Sequence, residues 1–278
     1  MNDVVLTFGT FDGVHLGHRA VLKTAAETGL RPVAVTFSTV PRGDAALMTA
    51  NEKVAALKEC GMDEVVLLDF ESVKDMTAED FLTKLFAEYA VKAAVCGFNF
   101  RFGKGGVGDT AFLSDFCRKK GALCTVCTPV CVGGEPISSS RIRNALSCGD
   151  MTEATQLLGR PYTLTLPVIH GDARGRTMGF PTINQHPHEH LLLPKFGVYR
   201  SETEIDGKCY RSMTNLGFRP SFETETPFAE THLFDFSGDV YGKTVTVSLM
   251  QFIREEKKFS STEELKAAIR ADIKSCQN

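Results

Sequence analysis

Val4-Val5-Leu6-Thr7-Phe8-Gly9-Thr10-Phe11-Asp12-Gly13-Val14-His15-Leu16-Gly17-His18 decides the fold of the first half of the chain. Val4–Phe8 is apolar nearly throughout, as a strand covered on both faces should be. Gly9 and Gly13 let the backbone turn sharply, and the residues after them open a helix-like stretch, Leu16–Thr28. Outward from there, strand-like runs at Pro32–Phe37, Val65–Asp69, Ala93–Gly97 and Leu123–Val132 alternate with helix-like Glu52–Cys60, Ala78–Tyr89 and Thr110–Lys120. Ala78–Tyr89 places Phe81, Leu82, Leu85 and Tyr89 on one face, and Asp109 and Gly121 bracket the fourth helix as N-cap and stop. Strands alternating with helices predict a Rossmann-like parallel sheet.

Beyond about residue 160 the helical period disappears. Tyr162–Ile169, Gly197–Glu204, Lys208–Leu216, Glu230–Phe236 and Thr244–Phe252 read as short strands, with Asp206-Gly207 as a hairpin turn. Ser260–Glu264 then opens a last helix, with Leu265, Ala268, Ile269 and Ile273 on one face. The predicted architecture is α/β followed by mainly β: a parallel-sheet domain over 1–158, and a small barrel or sandwich with a C-terminal helix over 159–278.

Of the 278 residues 43% are apolar and 23% charged, the composition of a soluble globular protein with a real core. A net charge of −3 supplies no basic field for nucleic acid, and no apolar run is long enough to span a bilayer. Met1–Val5 shows no leader pattern, which predicts a cytoplasmic protein with no membrane partner. The nine cysteines include Cys124, Cys127 and Cys131, but these sit in an apolar run and read as ordinary buried thiols. His186-Pro187-His188-Glu189-His190 reads as a solvated loop and not as a metal site.

Two segments carry chemistry in the first half. A helix amino end after a glycine turn is a seat for phosphate, and His15 and His18 project from its first turn on the same side. Two imidazoles there can donate hydrogen bonds to phosphate oxygens as charge grows, with Gly17 leaving space between them. Ile137-Ser138-Ser139-Ser140-Arg141-Ile142-Arg143 offers hydroxyls, helix-start amides and an arginine. His-x-Gly-His together with this run resembles the signature of the nucleotidyltransferase superfamily, which implies Gly9, Phe11, His15, Gly17, His18, Ser138, Ser139, Ser140 and Arg141 as ATP contacts. Gly97–Lys104 reads either as an aromatic loop on the core or as a surface for a flat heterocycle beside cations. The run resembles the flavin-adenylylating branch, which implies flavin contacts at Asn99 and Arg101.

In the second half, glycines at 171, 175 and 179 allow a backbone cradle for phosphate. Thr182 and Asn184, two apart in an extended segment, point oxygens the same way and could hold Mg²⁺. The stretch 159–184 with its Pro-Thr-x-Asn element, Gly197-Val198-Tyr199, Asn215–Pro220, Glu230–Asp235 and Phe252–Phe259 resembles the riboflavin kinase domain. That resemblance implies a small β-barrel for the second half and Glu230 as the general base. Taken together the chain resembles the bifunctional riboflavin kinase/FMN adenylyltransferase family over nearly its whole length. The resemblance implies riboflavin, FMN and ATP as substrates and Mg²⁺ as the metal. FMN is expected to be released and rebound between sites, since no charged track links the halves. Three positions depart from the family pattern: Ser38-Thr39-Val40-Pro41 stands for Pro-His-Pro, Leu166 for a glycine, and Ile183 for alanine. Ile183 is expected to face away from the metal and to tighten packing.

Overall fold

The computed structural model describes residues 3–41, 43–171, 175, 178–188, 190–220 and 225–277. Asp172, Ala173, Arg174, Arg176 and Thr177 of the glycine-rich run, and Glu189 of the histidine loop, lie outside the described residues. Contacts divide the chain into two compact units, Met1–Ser139 and Ser140–Asn278.

In the first unit β1 (Val4–Phe8), β2 (Arg31–Phe37), β3 (Glu64–Leu68), β4 (Val91–Gly97) and β5 (Leu123–Cys127) form one parallel sheet in the order β3-β2-β1-β4-β5. The order reverses direction beside β1, and ligands of open α/β sheets collect outside the carboxyl ends of strands at that point. The connections run through α1 (Leu16–Ala26), α2 (Ala50–Glu59), the short α3 (Phe70–Val73), α4 (Ala78–Glu88) and α5 (Thr110–Lys119). Every residue of β1 is buried, because helices cover both sheet faces and each face has its own apolar cluster. Leu6 and Leu82 belong to one cluster, Val5 and Leu22 to the other, all four fully buried. Burial of each such side chain contributes about 2 kcal/mol. Asp109 accepts a hydrogen bond from the Phe112 amide at 2.9 Å, the predicted N-cap of α5. Leu123–Val132 is shorter than expected as a strand: β5 stops at Cys127, and a two-strand ribbon of β6 (Cys131–Val132) and β7 (Glu135–Pro136) follows. All nine cysteines are free thiols, with Cys96 and Cys117 fully buried and Cys131 exposed.

The second unit begins with α6 (Ser139–Cys148) and α7 (Met151–Leu158). Both lie before the expected boundary at 158/159, yet apart from Ser139 they belong by contacts to the second unit. The backbone amide of Lys195 donates to the Leu146 carbonyl at 2.9 Å, and α7 packs on the second unit's sheet. That sheet is antiparallel: β8 (Tyr162–Pro167), β9 (Thr182–Gln185), β10 (Gly197–Ile205), β11 (Lys208–Pro220), β12 (Glu225–Leu233) and β13 (Thr244–Arg254), ordered β8-β13-β10-β11-β12-β9. It curls until Ile169, just past β8, forms a single bridge to Asn184 in β9, with the Ile169 amide donating to the Asn184 carbonyl at 2.8 Å. Gln185 strengthens the same closure by donating to the carbonyls of Leu166 at 2.7 Å and Val245 at 3.0 Å.

Alternation sorts the side chains of this sheet. Buried positions in β10 to β12 carry Ser201, Thr203, Ser212, Thr214 and Thr231, whose hydroxyls connect in one chain of 2.8 to 2.9 Å hydrogen bonds. The other face carries Met213, Asn215, Glu230 and His232, and over it lies α8 (Thr262–Gln277). Arg254 of β13 makes a forked ion pair to the buried Asp272 of α8, with contacts of 2.6, 2.9 and 3.1 Å. Ser261 caps α8 by accepting from the Glu264 amide at 3.1 Å, as its sequence predicts.

Candidate functional sites

The turn after β1 is more constrained than glycines alone would make it. Gly13 has φ +81°, but Phe11 and Val14 also lie in the left-handed region, at φ 46° and 40°. Such a conformation costs a bulky or β-branched residue about 1–3 kcal/mol and persists only where packing enforces it. Both side chains are fully buried in the core. Gly9 also makes room for a side chain: a Cβ there would sit 2.9 Å from the Phe11 ring. Phe11, implied as an ATP contact, thus spends its side chain on Gly9 and on the edge of the His18 ring, 5.3 Å away.

His15 is the N-cap of α1, its Nδ1 accepting from the His18 amide at 3.2 Å. That bond places the proton of the neutral ring on Nε2, which is then a donor. The His15 and His18 rings stack with centroids 3.5 Å apart and planes 18° apart, so both do project on one side. Burial pushes His15 down to about 4, and burial together with His15 and Lys53 holds His18 well below the usual imidazole range. Two stacked imidazoles this close cannot both be charged, and near neutral pH both are neutral donors. Nδ1 of His18 is buried with no hydrogen-bond partner, an omission that costs about 1–3 kcal/mol and is characteristic of functional sites. Gly17 lies close against a ring. A Cβ there would stand 3.1 to 3.2 Å from the His15 ring, so the missing side chain makes room for that imidazole. The amides of Leu16 and Gly17 lack partners within the helix and keep the amino end electropositive.

Ser139, at the start of α6, donates through Oγ to the Asp12 carbonyl at 3.0 Å, joining the serine run to the first turn. Asp12 is itself buried and accepts from the Leu47 amide at 2.9 Å. Ser138 is half-buried and Ser140 exposed; Arg141 is ion-paired with Glu153 of α7 at 2.9 Å. In the aromatic loop, Phe100 stacks on Phe8 and Phe102, with centroids 5.4 and 5.1 Å apart, so most of the aromatic character serves the core. Phe102 and Gly108 bridge the following turn with reciprocal amide bonds of 3.0 and 2.9 Å, and Phe98, Asn99 and Arg101, ahead of that bridge, are exposed. Arg101 lies 3.8 Å from Asp109.

In the second unit antiparallel register assembles the site. Glu230 pairs with Asn184 and His232 with Thr182 across β12 and β9, while Asn215 pairs with Glu230 across β11 and β12. Partners in register share a face, so hydroxyl, amide and carboxylate converge there. Ile183 turns the other way into an apolar cluster with Val168, Leu233 and Val245. A Cβ on Gly171 would stand 2.5 Å from the Asn184 amide group, and one on Gly175 would stand 3.3 Å from Thr182 Oγ1 and 2.4 Å from the Phe180 carbonyl. Both glycines are therefore places where the loop closes on the candidate metal ligands. Gly179 has φ +89°, a turn position that favours glycine. A cavity of about 520 Å³ runs from Thr182, Glu230 and His232 to Arg254, Glu256 and Ile269 under α8.

Lys53, Glu256 and the Arg254–Asp272 pair carry no local sequence signal that marks them out. Asn215 donates to Glu256 at 3.1 Å, and Glu256 lies over Gly217, where any Cβ would strike its carboxylate. Among the described residues no cluster of three histidines, cysteines or carboxylates could hold a metal, and no helix is long and apolar enough to cross a membrane.

A parallel α/β unit with stacked imidazoles at a helix mouth, joined to a curled β unit with a carboxylate facing a Thr-x-Asn pair, defines a two-site phosphate-transfer protein. The family described as FAD synthetase matches residues 1–141, and the family described as riboflavin kinase matches residues 158–278. The bifunctional riboflavin kinase/FMN adenylyltransferase of Escherichia coli (strain K12) is 38% identical over 282 residues, covering 96% of this chain and 90% of its own. That of Bacillus subtilis (strain 168) is 36% identical over 284 residues, again 96% and 90%. A solved structure named as a macrolide-efflux protein from Streptococcus pneumoniae superposes with TM-score 0.91 at 32% identity, covering 100% of this chain and 94% of that one. The chain belongs to the bifunctional riboflavin kinase/FMN adenylyltransferase family.

Proposed function

We propose that the two activities are carried by separate side-chain sets: His15 and His18 for adenylylation of FMN to FAD, and Glu230 for phosphorylation of riboflavin to FMN. The boundary between them is drawn at 158/159, a reading supported by the family matches at 1–141 and 158–278.

In the first unit a phosphate oxygen of FMN attacks the α-phosphorus of ATP, and the bond to the β-phosphate oxygen breaks to release pyrophosphate. Neutral imidazoles, His15 through its Nε2–H, donate to the phosphate oxygens as negative charge accumulates, without the repulsion of a fixed charged pair. The α1 amino end, Gly9, Phe11 and Gly17 through their backbone, and Ser138 and Ser139 hold the triphosphate. Asn99 and Arg101, exposed beside Phe98, receive the flavin.

In the second unit Glu230 takes the proton of the ribityl hydroxyl as that oxygen attacks the γ-phosphorus of ATP, and ADP leaves. A carboxylate suffices because in-line transfer needs an oriented oxygen more than a strong base. Thr182 and Asn184 supply hard oxygen ligands opposite Glu230, a donor set that fits Mg²⁺; the ion when bound offsets phosphate charge. Gly171, Gly175 and Gly179 let the loop close over ATP. Nine free thiols suit a reducing compartment and support a cytoplasmic enzyme.

One observation carries this division: the register that sets Glu230 opposite Asn184 lies wholly in the second unit, while the stacked histidines lie wholly in the first. Product analysis of riboflavin plus ATP tests it. His18→Ala should still accumulate FMN but form no FAD; Glu230→Ala should form FAD only when FMN is supplied. Loss of both activities in either folded variant would refute the assignment.

A further inference from the structure

Lys53 is 3% exposed, on α2, and its ammonium donates to the carbonyls of Phe37 at 2.7 Å and Thr10 at 3.3 Å. Phe37 ends β2, and Thr10 lies in the turn that leads to His15. The same Thr10 carbonyl accepts from Thr36 Oγ1 at 2.9 Å, and the Gly9 amide donates to the Val35 carbonyl at 3.3 Å. The end of β2 and the first turn are thus joined at several points, and Lys53 is the one charged group among these links.

Carbonyl groups satisfy an ammonium's donors without cancelling its charge. Among the described residues Lys53 makes no ion pair; the buried Asp12 carboxylate acts on it only as a nearby charge, and burial outweighs that help and pushes the lysine down from its ordinary value. Packing alone would favour an apolar residue here, since replacing a buried charge with a well-packed hydrophobe is often neutral or stabilising. A costly charge kept beside the turn that carries the stacked imidazoles points to the chemistry of that turn.

We propose that Lys53 is a positioning residue of the adenylylation site: it clamps the Gly9–Gly13 turn to the carboxyl end of β2 and places a fixed positive charge behind the mouth of α1. The inference rests on the assignment of adenylylation to His15 and His18. Two consequences follow for those rings. The clamp fixes where the turn delivers His15, and so where the stacked pair stands. The ammonium also opposes protonation of His18, alongside His15, which keeps that ring a neutral donor.

The test compares Lys53→Met, which removes charge and donors, with Lys53→Gln, which keeps an N–H donor without charge. Pyrophosphate release from FMN plus ATP reads the first site, and FMN formation from riboflavin plus ATP reads the second. Hydrogen exchange of the β1 and α1 peptides reports whether the first unit is folded. Lys53→Met should lower kcat for FAD formation about 10²-fold, the scale of a lost preorganised electrostatic group. KM for ATP should change by less than about fivefold and FMN formation by less than about twofold. Lys53→Gln should recover about tenfold of that loss by restoring part of the clamp. In both variants the acid-side inflection of FAD formation should move to higher pH, because a positive charge that resists protonation of His18 is gone.

FAD formation within threefold of wild type in a folded Lys53→Met protein would overturn the proposal. So would loss of exchange protection in both variants, which would make Lys53 a fold residue only. His18→Ala in the same assay separates the two levels. If it leaves FAD formation intact, the site assignment fails; if it abolishes FAD formation while Lys53→Met does not, only the role of Lys53 fails.

Discussion

The two sites hold phosphate chemistry in opposite ways. In the first unit the functional side chains come from a chain reversal at the carboxyl edge of a parallel sheet. There His15 is both buried and the cap of α1, Gly17 is shaped around it, and two left-handed residues are locked in the core beneath. In the second unit alternation along antiparallel strands puts Thr182, Glu230 and His232 on one face while Ile183 and Thr231 go to the other. Site and scaffold share atoms in the first case and are separated by the pleat in the second. Substitutions in the first unit should therefore move stability and activity together, and those in the second should part them.

The largest effect expected from that contrast is at Glu230. Glu230→Gln should lower FMN formation by about 10³-fold, the range of a lost general base. Chemical denaturation of the second unit should shift by less than about 0.5 kcal/mol, as for a half-exposed site. A large stability loss would show that the pleat does not separate the two roles. His15→Ala is the counterpart. FAD formation should fall about 10²-fold, and this time stability should fall too, by about 1 kcal/mol for the lost N-cap, measured by denaturation at pH 7.

Acid stability sharpens the same contrast. His15 in the folded state sits at about 4, below its unfolded value near 6.5. Between those values the unfolded chain binds the extra proton, so stability is full above about pH 6.5 and declines as pH falls toward 4. The loss from this residue is about 3 kcal/mol at most. Denaturation of wild type and His15→Gln from pH 7 to 4 should show the wild type losing more; parallel curves would remove the buried neutral imidazole from the account. The mildest change is Gly17→Ala, whose methyl group must displace the His15 ring by a few tenths of an ångström. FAD formation should fall about tenfold with FMN formation unchanged.

How much of this was legible in the sequence follows the same line. Alternation of apolar strands with 3.6-period helices marked β1 to β4 within one or two residues at each end, because those signals are local, whereas the apolar run Leu123–Val132 continues past the end of β5 at Cys127. Register was partly legible. The two-residue spacing of Thr182 and Asn184 put Ile183 on the opposite face, but nothing local indicates that Asn184 meets Glu230, 46 positions later by its number. The glycines show the limit most sharply. Gly13 is a left-handed turn residue, as its type suggests, whereas Gly9 and Gly17 exist for rings that approach them, and no spacing rule announces which ring. Lys53 was hidden for a related reason. A lysine in the first turns of an amphipathic helix reads as solvated, and only the three-dimensional fold brings the Thr10 and Phe37 carbonyls to its ammonium.

The bridge from Ile169 to Asn184 has a consequence for how the kinase half behaves before and after it meets ATP. β9 is four residues long and stands at the sheet margin, where a single bridge closes the seam, and two of its residues, Thr182 and Asn184, are the ones assigned to the metal. Whatever grips Thr182 and Asn184 also cinches the seam. Loading the nucleotide and finishing the fold of this half should then be a single cooperative event, with slower amide exchange around Ile169 as its trace.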